Sequence, residues 1–178
     1  MDIQETMMNF LPQPGPLLEN VKKAIEAART RGIPVIFVVL SFKDGYPEIP
    51  LDHPRFGPIK QSGDLFTERN QGTALHHSIR YLPGDIIVQK KRVSAFAGSD
   101  LQVILSALGA KKLVLSGFAT TGVVLSTQRA AADLDYRVLV LSDACADPEP
   151  EVHDFLVKKV FPFSGDVMTI EEWKNSSI

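Results

Sequence analysis

The strongest candidate for a reactive site in this sequence is a turn within the stretch Leu113–Asp147. The apolar run Leu113–Leu115 predicts a strand, which breaks at Ser116-Gly117 before a helix with an apolar face begins. In a parallel sheet, the carboxyl end of such a strand and the amino end of the following helix face a common crevice. The first N–H groups of a helix have no intrahelical partner, so this turn is expected to bind an anion or a developing oxyanion through the backbone of Thr120, Thr121, Gly122 and Val123.

A second set of charged groups follows a predicted buried strand, Asp85–Gln89. Lys90 comes directly after this strand, and Lys91 and Arg92 come next. An ammonium group at the carboxyl end of a parallel strand would face the same crevice as the turn. Lys90 is therefore a candidate site residue, with a solvated surface position as the alternative. Arg92 could clamp a carboxylate, although a surface role is equally compatible with the sequence.

The flanking elements are those of an alternating α/β chain. Apolar positions at helical spacing predict helices, and β-branched runs without alternation predict strands covered on both faces. The predicted helices are 17–31, 99–108, 123–134, 148–160 and 170–174, and the predicted strands are 33–40, 85–89, 113–115, 138–141 and 166–168. This order predicts a doubly wound, Rossmann-like α/β fold, with a mostly parallel sheet and helices on both faces. At 178 residues, the chain 1–178 is expected to form a single domain.

The segment Ser41–Pro83 differs from the rest of the chain. It is rich in proline and glycine and shows little periodicity. Loops of this length usually form lids or binding segments. Its aromatic side chains, with others nearby, could form an apolar pocket wall, and core packing is the alternative for Phe96. The aromatic residues concerned are Tyr46, Phe56, Phe96 and Phe118.

Composition limits the class of partner. The net charge is −2 and no long basic run is present, which argues against nucleic acid. No apolar stretch reaches the length of a membrane span, and Met1-Asp2 begins no signal peptide, so no membrane association is expected. The single cysteine cannot form an internal disulfide, which is typical of a reducing cytoplasm. The expected partner is a small-molecule substrate, and the expected location is cytoplasmic.

Three separated motifs resemble the isochorismatase-like hydrolase superfamily. They are the string GFATTGVVLST at 117–127, the string KKRVSAF at 90–96, and Asp2-Ile3-Gln4 near the start. This superfamily includes nicotinamidases, carbamoylsarcosine amidases and isochorismatases. The resemblance covers nearly the whole chain, and the order and spacing of the motifs make it more specific than any single motif. It implies the same α/β fold, and it implies a homo-oligomer because family members often associate.

The resemblance implies a catalytic pair, Asp2 and Lys90. Asp2 matches the aspartate of the family's D-x-Q motif, and Lys90 matches the lysine four residues before S-A-F. The nucleophilic cysteine of the amidase members would fall at Val123. Valine cannot form a thioester, so the covalent amidase mechanism is not available. Members that cleave isochorismate carry glycine there and are thought to use acid catalysis. That analogy implies Asp2 as the general acid or base and Lys90 as the group that holds its charge state or binds an anion.

The same resemblance implies an oxyanion site at the N–H groups of Thr120 and Val123, beside a cis peptide between Ala119 and Thr120. The substrate pocket is then expected to be lined by Arg92, Phe96, Phe118, Ala119, Thr121 and Gly122. The predicted function is a hydrolase that acts on a small molecule, either neutral or anionic, by Asp/Lys acid–base catalysis, without a covalent cysteine intermediate. The alternative is a catalytically silent relative that binds a metabolite or a partner subunit.

No metal and no cofactor are expected. His76 and His77 are adjacent, which we expect to keep them from sharing a face. Asp52-His53-Pro54 lacks the second histidine of the nicotinamidase metal loop. Ligand count therefore argues against a metal. Cys145 is expected to be a buried structural cysteine, because the neighbouring acids would raise its pKa, and thiol chemistry is the alternative.

One departure from the family concerns the start of the chain. In the family, a central apolar strand precedes the D-x-Q motif, whereas here only Met1 precedes Asp2. Either Met1 is an internal methionine of a longer protein, which we favour, or the sheet has lost its centre. In the second case Asp2 would lie on a frayed terminus and could hardly be a positioned acid.

Overall fold

The computed structural model describes residues 1–177, in which five strands alternate with helices. The strands are β1 (Ile36–Leu40), β2 (Ile86–Lys90), β3 (Lys112–Phe118), β4 (Arg137–Ala146) and β5 (Asp166–Met168). Each strand coincides with a predicted one, and β5 has the predicted bounds.

Each predicted helix is present, and two short helices that were not predicted lie near the start of the chain and in the long loop. They are α1 (Glu5–Met8), α2 (Pro14–Thr30), α3 (Gly57–Lys60), α4 (Leu101–Ala107), α5 (Leu125–Asp133), α6 (Pro150–Phe155) and α7 (Ile170–Asn175). Single turns of 3₁₀- or π-helix occur at Gln71–Thr73, Thr120–Val124, Leu156–Val160 and Phe161–Phe163. None of the helices within residues 1–177 has both the length and the apolarity needed to cross a bilayer.

All strand pairings are parallel, but the strands belong to two sheets. β1 pairs with β2 in one sheet, and the other sheet has the order β3-β4-β5. The predicted parallel α/β class is confirmed. Because parallel strands share a direction, the ends of β1, β2, β3 and β4 that carry functional residues lie at a common edge.

The first residues of the chain lie between the two sheets. Asp2 N–H donates to the Val38 carbonyl oxygen at 2.8 Å, on the β1 side. On the β3 side, the Met1 amino group donates to the Ser116 carbonyl oxygen at 2.9 Å, and Phe118 N–H donates to the Met1 carbonyl oxygen at 3.2 Å. Asp2 is therefore fixed between β1 and β3 and does not lie on a frayed terminus.

Side chains of β4 alternate between two hydrophobic clusters. Val138 and Val140 belong to the cluster that contains α5, and Leu139 and Leu141 belong to the cluster that contains α2 and Trp173 of α7. This period of two places helices on both faces of the sheet, as predicted. In β1, Phe37 likewise packs in the α2 cluster and Val38 packs in the cluster with α4.

The long segment between β1 and β2 has its own hydrophobic cluster. The cluster is centred on Phe42, whose ring contacts Tyr46 and Phe56 at centroid distances of 5.8 and 6.0 Å. Ile49, Phe66 and Leu40 of β1 also belong to it, and all six side chains are buried. Although the segment is mostly irregular, it is packed as a compact unit beside the carboxyl end of β1.

Gly117 permits the close approach of the first residues to β3. Its φ is +146°, and a Cβ atom at this position would lie 2.2 Å from the Met1 carbonyl oxygen. We expect Gly117→Ala to lower the free energy of unfolding by about 3 kcal/mol, because the clash is with backbone that cannot rotate away. Urea denaturation measures the loss.

Gly15→Ala is the matched control, since a Cβ at Gly15 would have no heavy atom within 4 Å. It lies in the first turn of α2, where alanine should be neutral or slightly stabilising. Equal stabilities of the two variants would contradict the proposed contact between Met1 and β3.

Candidate active site

Asp2 and Lys90 form an ion pair inside the protein. The Lys90 Nζ atom lies 2.9 Å from Asp2 Oδ2, and the two residues are 2% (Lys90) and 4% (Asp2) exposed. Lys90 is the last residue of β2, so its side chain starts at the carboxyl end of the parallel strands. Its Nζ also donates a hydrogen bond to the Arg92 carbonyl oxygen at 3.0 Å. The structure thus brings together the two residues that the sequence analysis assigns to catalysis.

The two carboxyl oxygens of Asp2 have different surroundings. Oδ2 faces Lys90, whereas Oδ1 is buried without a hydrogen-bond partner in the part of the chain that the structure describes. Burial raises the pKa of Asp2, and the Lys90 ammonium group opposes that rise. A buried acceptor without a partner costs free energy. Oδ1 is therefore the carboxyl oxygen of Asp2 that no described residue occupies.

Gln4 holds the backbone that carries Asp2. Asp2 itself has a left-handed conformation with φ +56°, which is unusual for a residue other than glycine. The Gln4 amide donates from Nε2 to the carbonyl oxygens of Leu40 at 3.0 Å and Thr73 at 2.6 Å, and its Oε1 accepts from Leu40 N–H at 2.9 Å. Gln4 is completely buried. The third residue of the D-x-Q motif is therefore a positioning residue for Asp2.

The turn after β3 contains a cis peptide bond, but not where the resemblance implies it. The cis bond joins Phe118 to Ala119, one residue before the expected Ala119–Thr120 bond. The expected position is therefore wrong by one residue. After the cis bond, the chain forms the π-helical turn Thr120–Val124, which is kinked at Gly122 and leads into α5.

Several N–H groups at this turn are used within the protein. Thr121 N–H donates to Asp147 Oδ2 at 2.8 Å, and Gly122 N–H donates to the Ala119 carbonyl oxygen at 3.1 Å. The prediction that these two N–H groups are unpaired is therefore wrong, because a carboxylate and a carbonyl already occupy them. That the N–H groups of Thr120 and Val123 donate to an oxyanion stays a prediction.

Two residues that sequence reasoning did not assign to the site fix the side chains of the turn. Thr120 is completely buried, and its Oγ1 lies 2.8 Å from His153 Nδ1, on α6. Burial lowers the pKa of His153, which favours a neutral imidazole as the hydrogen-bond partner. Asp147 Oδ2 also accepts from the Thr121 hydroxyl at 2.7 Å. His153 carries no local motif, whereas Asp147 directly follows β4 and so had a positional signal.

No thiol nucleophile is present at the turn. Val123 is buried and belongs to the cluster of Leu115, Val124 and Ala131. Cys145, the single cysteine of the chain, is also buried, and that burial raises its thiol pKa to about 12. The thiol is therefore protonated at neutral pH and unreactive. The prediction of a buried structural cysteine is confirmed.

Arg92 connects the site to the long loop. Its guanidinium donates to the carbonyl oxygens of Lys91 at 2.6 Å and Glu48 at 2.8 Å, and it lies over the Phe56 ring with Cζ 5.4 Å from the centroid. These contacts engage both terminal nitrogens, so Arg92 anchors the loop to the end of β2. Its expected contact with substrate stays a prediction.

The apolar residues assigned to the pocket lie in different surroundings. Phe118 is buried in the cluster beneath α2, and the Phe96 ring stacks on Tyr136 with centroids 6.2 Å apart. Both side chains are thus part of the hydrophobic packing, as the alternative for Phe96 proposed. Ala119 is partly buried at the turn, and its Cβ lies 3.9 Å from where a Cβ on Gly122 would be. Substrate contact by these residues stays a prediction.

Arg55 of the long loop reaches the turn. One of its terminal nitrogens lies 3.8 Å from where a Cβ on Gly122 would be, and its charge acts to lower the pKa of Asp2. Arg55 is exposed, and within residues 1–177 its guanidinium donates no hydrogen bond. It is thus an exposed cation beside Gly122, and its charge extends to Asp2. No pattern in the sequence indicated Arg55, because the irregular loop has no periodicity from which the position of its side chain could be predicted.

A family model described as the isochorismatase domain matches residues 1–172 of this chain. The chain belongs to the isochorismatase family. The recognition made from the three motifs is confirmed, and the hydrolase class follows from it.

Relatives within the isochorismatase family include amidohydrolases. The ureidoacrylate amidohydrolase RutB of Pseudomonas syringae pv. syringae is 34% identical over 172 residues, which cover 89% of this chain and 70% of that protein. The match to RutB of Pseudomonas savastanoi pv. phaseolicola covers 77% of this chain and 60% of that protein, also at 34% identity. The chain thus spans about 60 to 70% of the length of these relatives. The isochorismatase family protein YwoC of Bacillus subtilis is 30% identical over 97% of this chain and 89% of its own length.

Solved structures share the fold. An isochorismatase family protein from Burkholderia thailandensis has a TM-score of 0.81 and 29% identity over 96% of this chain and 89% of that one. A cysteine hydrolase from Pseudomonas syringae pv. phaseolicola has a TM-score of 0.87 over 97% of this chain and 87% of that one. At 20% identity, the second comparison shows the isochorismatase-like fold alone.

Removing Lys90 should destabilise this isochorismatase-family chain in a pH-dependent way. In Lys90→Met, the Asp2 carboxylate would be buried without its cation, which typically costs about 3–5 kcal/mol. The pKa of Asp2 is already raised and would rise further without the ammonium group. We expect a loss of roughly 4 kcal/mol in the free energy of unfolding at alkaline pH, and a smaller loss as the pH falls through the Asp2 pKa and the carboxyl becomes neutral.

Urea denaturation at several pH values measures this dependence. The control is the double variant Asp2→Asn/Lys90→Met, in which no carboxyl titrates at this position, so its own free energy of unfolding should lack the pH dependence that Asp2 causes. A loss in Lys90→Met that is constant across the pH range would count against a buried, coupled Asp2–Lys90 pair.

Proposed function

We propose that this isochorismatase-family chain is a hydrolase that acts on a small anionic molecule by acid–base catalysis, without a covalent cysteine intermediate. The observation that carries the proposal is the buried Asp2–Lys90 pair, in which Asp2 Oδ1 has no hydrogen-bond partner among the described residues. Perturbed carboxyl groups in such surroundings are frequent at catalytic sites. The expected partner is a small-molecule substrate, and assembly into a homo-oligomer and a cytoplasmic location stay predictions.

The geometry supports Asp2 as the group that transfers the proton. In hydrolysis, the oxygen of water bonds to the electrophilic carbon, and the bond from that carbon to the leaving nitrogen or oxygen breaks. Protonated Asp2 gives its proton through Oδ1 to the leaving nitrogen of an amide, or to the β-carbon of an enol ether, and the attacking water then returns a proton to it. Lys90 stabilises the intervening carboxylate through the 2.9 Å contact.

Charge that develops on the substrate would be stabilised at the turn after β3. Backbone N–H groups of Thr120 and Val123 are the proposed donors, because those of Thr121 and Gly122 are occupied. The hydrogen bond between Thr120 and His153 and those from Thr121 to Asp147 hold the turn rigid. Preorganised donors of this kind need no rearrangement during the reaction.

The substrate class follows from the charge around the site and from the relatives. Arg55 provides an exposed cation whose charge extends to Asp2, which suits a carboxylate on the substrate. RutB of Pseudomonas syringae is named as a ureidoacrylate amidohydrolase, and acrylates are carboxylates. Small acids with a hydrolysable amide or enol ether bond are therefore the first candidates.

The alternative is a catalytically silent relative that binds a small metabolite or a partner subunit. It is favoured by one observation, which is that the position expected for the amidase nucleophile carries the buried Val123 while Cys145 is inert. In that case the Asp2–Lys90 pair and Arg55 would bind a ligand without converting it. Thermal stabilisation by a ligand that is recovered unchanged would identify this function.

Asp2→Asn should remove turnover of any substrate that the wild-type protein hydrolyses. Loss of a general acid typically lowers kcat by about 10²–10⁴-fold. We expect Lys90→Ala to lose activity as well and Cys145→Ser to keep it, because the thiol takes no part. Mass spectrometry of products from a panel of isochorismate, ureidoacrylate, small amides and related carboxylates measures this, and circular dichroism shows that each variant is folded.

The outcomes separate the two functions. Turnover that Asp2→Asn abolishes and Cys145→Ser retains supports a cysteine-free hydrolase. Turnover that survives in Asp2→Asn overturns the assigned acid. No turnover in a folded wild-type protein, together with stabilisation by one of the panel, supports the silent binding protein.

Arg55→Met should weaken binding of an anionic substrate. A hydrogen bond to a charged group is worth about 1.5–3 kcal/mol, so KM should rise roughly 10- to 100-fold while kcat changes little. Arg69→Met is the matched control, because Arg69 lies in the same loop, is exposed and pairs with Asp44. Steady-state kinetics with an anionic substrate and with its uncharged amide tests the assignment. Equal KM values for Arg55→Met and the wild type would rule out this contact.

A further inference from the structure

We propose that Glu5, His76 and His77 form a binding site for a divalent transition-metal ion such as Zn²⁺. One ligand atom from each residue can be chosen so that all three lie within 4.8 Å of one another. Glu5 Oε1 is 3.0 Å from His77 Nδ1, and Glu5 Oε2 is 3.8 Å from His76 Nε2. Ligand atoms on a tetrahedral Zn²⁺ are about 3.3 Å apart at the usual bond lengths. Small side-chain movements would therefore bring these atoms to coordinating positions.

Backbone hydrogen bonds already hold Glu5 close to His76 and His77. Gln4 forms an antiparallel bridge with Leu75, and His76 N–H donates to the Ile3 carbonyl oxygen at 2.9 Å. His77 N–H donates to Glu5 Oε1 at 2.6 Å. Glu5 and His77 are 72 positions apart in sequence but are adjacent through these bonds. A preorganised site of this kind loses little conformational entropy when the ion binds.

The histidine rings are oriented side by side. Their centroids are 4.2 Å apart and their planes differ by 32°. The expectation that adjacent histidines could not share a face is therefore wrong, because the chain turns between them. His76 Nδ1 lies 2.9 Å from Ser78 Oγ and accepts from Ser78 N–H at 3.3 Å. Metal binding through Nε2 would use the tautomer in which Nδ1–H donates to the Ser78 hydroxyl oxygen and the Nε2 lone pair is free toward Glu5. A second partner that fixes the imidazole tautomer is typical of metal-binding histidines.

The ligand set selects the class of ion. Two imidazoles and one carboxylate suit Zn²⁺, Co²⁺, Ni²⁺ or Cu²⁺, whereas Mg²⁺ and Ca²⁺ prefer oxygen ligands alone. The His77 side chain is 79% exposed, so the ion would keep solvent access and at least one water ligand. Such a site differs from a closed structural zinc site, and its loading should follow the concentration of free ion.

A bound metal ion would link two segments that contribute to the candidate active site. Glu5 is the first residue of α1 and follows Asp2 by three positions, while His76 and His77 lie near the end of the long loop that carries Arg55. One ion would therefore connect the segment that presents Asp2 to that loop. Metal that binds the folded chain but not the unfolded one must also stabilise the fold.

Equilibrium dialysis of untagged, chelator-treated protein against Zn²⁺ at neutral pH, followed by elemental analysis, tests the proposal. We expect one equivalent of Zn²⁺ and a higher thermal unfolding temperature in its presence. Co²⁺ in place of Zn²⁺ should give visible absorption bands that report imidazole and carboxylate coordination. Excess Mg²⁺ should not displace either ion.

The variants His77→Ala and Glu5→Gln should each weaken Zn²⁺ binding at least about tenfold and abolish the thermal shift. Both changes are at exposed or partly exposed side chains, so the fold should survive. His53→Asn is the matched control, because His53 lies outside the cluster and asparagine keeps an acceptor for the local N–H groups. It should bind Zn²⁺ as the wild type does. The proposal is overturned by no binding in the wild type, or by stoichiometric binding that both cluster variants retain.

Discussion

The side chains of Asp2 and Lys90 have lost nearly all contact with water, and each is tolerable inside the protein only because the other lies 2.9 Å away. An isolated buried charge costs several kcal/mol, so the two residues must be placed together by elements that cannot drift apart. Strand β2 provides Lys90 at its end, and the segment 1–4 provides Asp2 between β1 and β3. Gly117 has no side chain and so allows Met1 to approach β3. The Gln4 amide holds the segment 1–4 against Leu40 of β1. The ion pair therefore depends on the segment 1–4 lying between the two sheets.

The sequence predicted the regular elements well because their signals are local. The strand β5 at Asp166–Met168 and the strand–turn–helix order around β3 follow from runs of apolar residues that tertiary packing does not override. Lys90 was found for the same reason, since it directly follows such a run. Asp2 was found through a motif, and its burial explains why an acid and a glutamine are needed two positions apart.

What the sequence could not show depends on contacts between distant segments. Arg55 and His153 reach the turn from a loop and from α6, and no periodicity indicates that approach. The engaged N–H groups of Thr121 and Gly122 were missed because one partner is a carboxylate 26 positions away and the other is a carbonyl of the turn itself. The contact between Glu5 and His77 is also one between distant segments. It forms only because the first residues of the chain pair with the end of the long loop.

The buried state of Cys145 has a consequence for how this chain tolerates oxidants. Peroxide and alkylating reagents attack the thiolate of an accessible, low-pKa cysteine, whereas the thiol of Cys145 is buried and has a pKa of about 12. No other cysteine is present in the sequence. Val123 stands at the position where the resemblance implies the cysteine of the amidase members, and its side chain has no sulfur to oxidise. An oxidant or an alkylating reagent therefore finds no reactive thiol at the turn after β3.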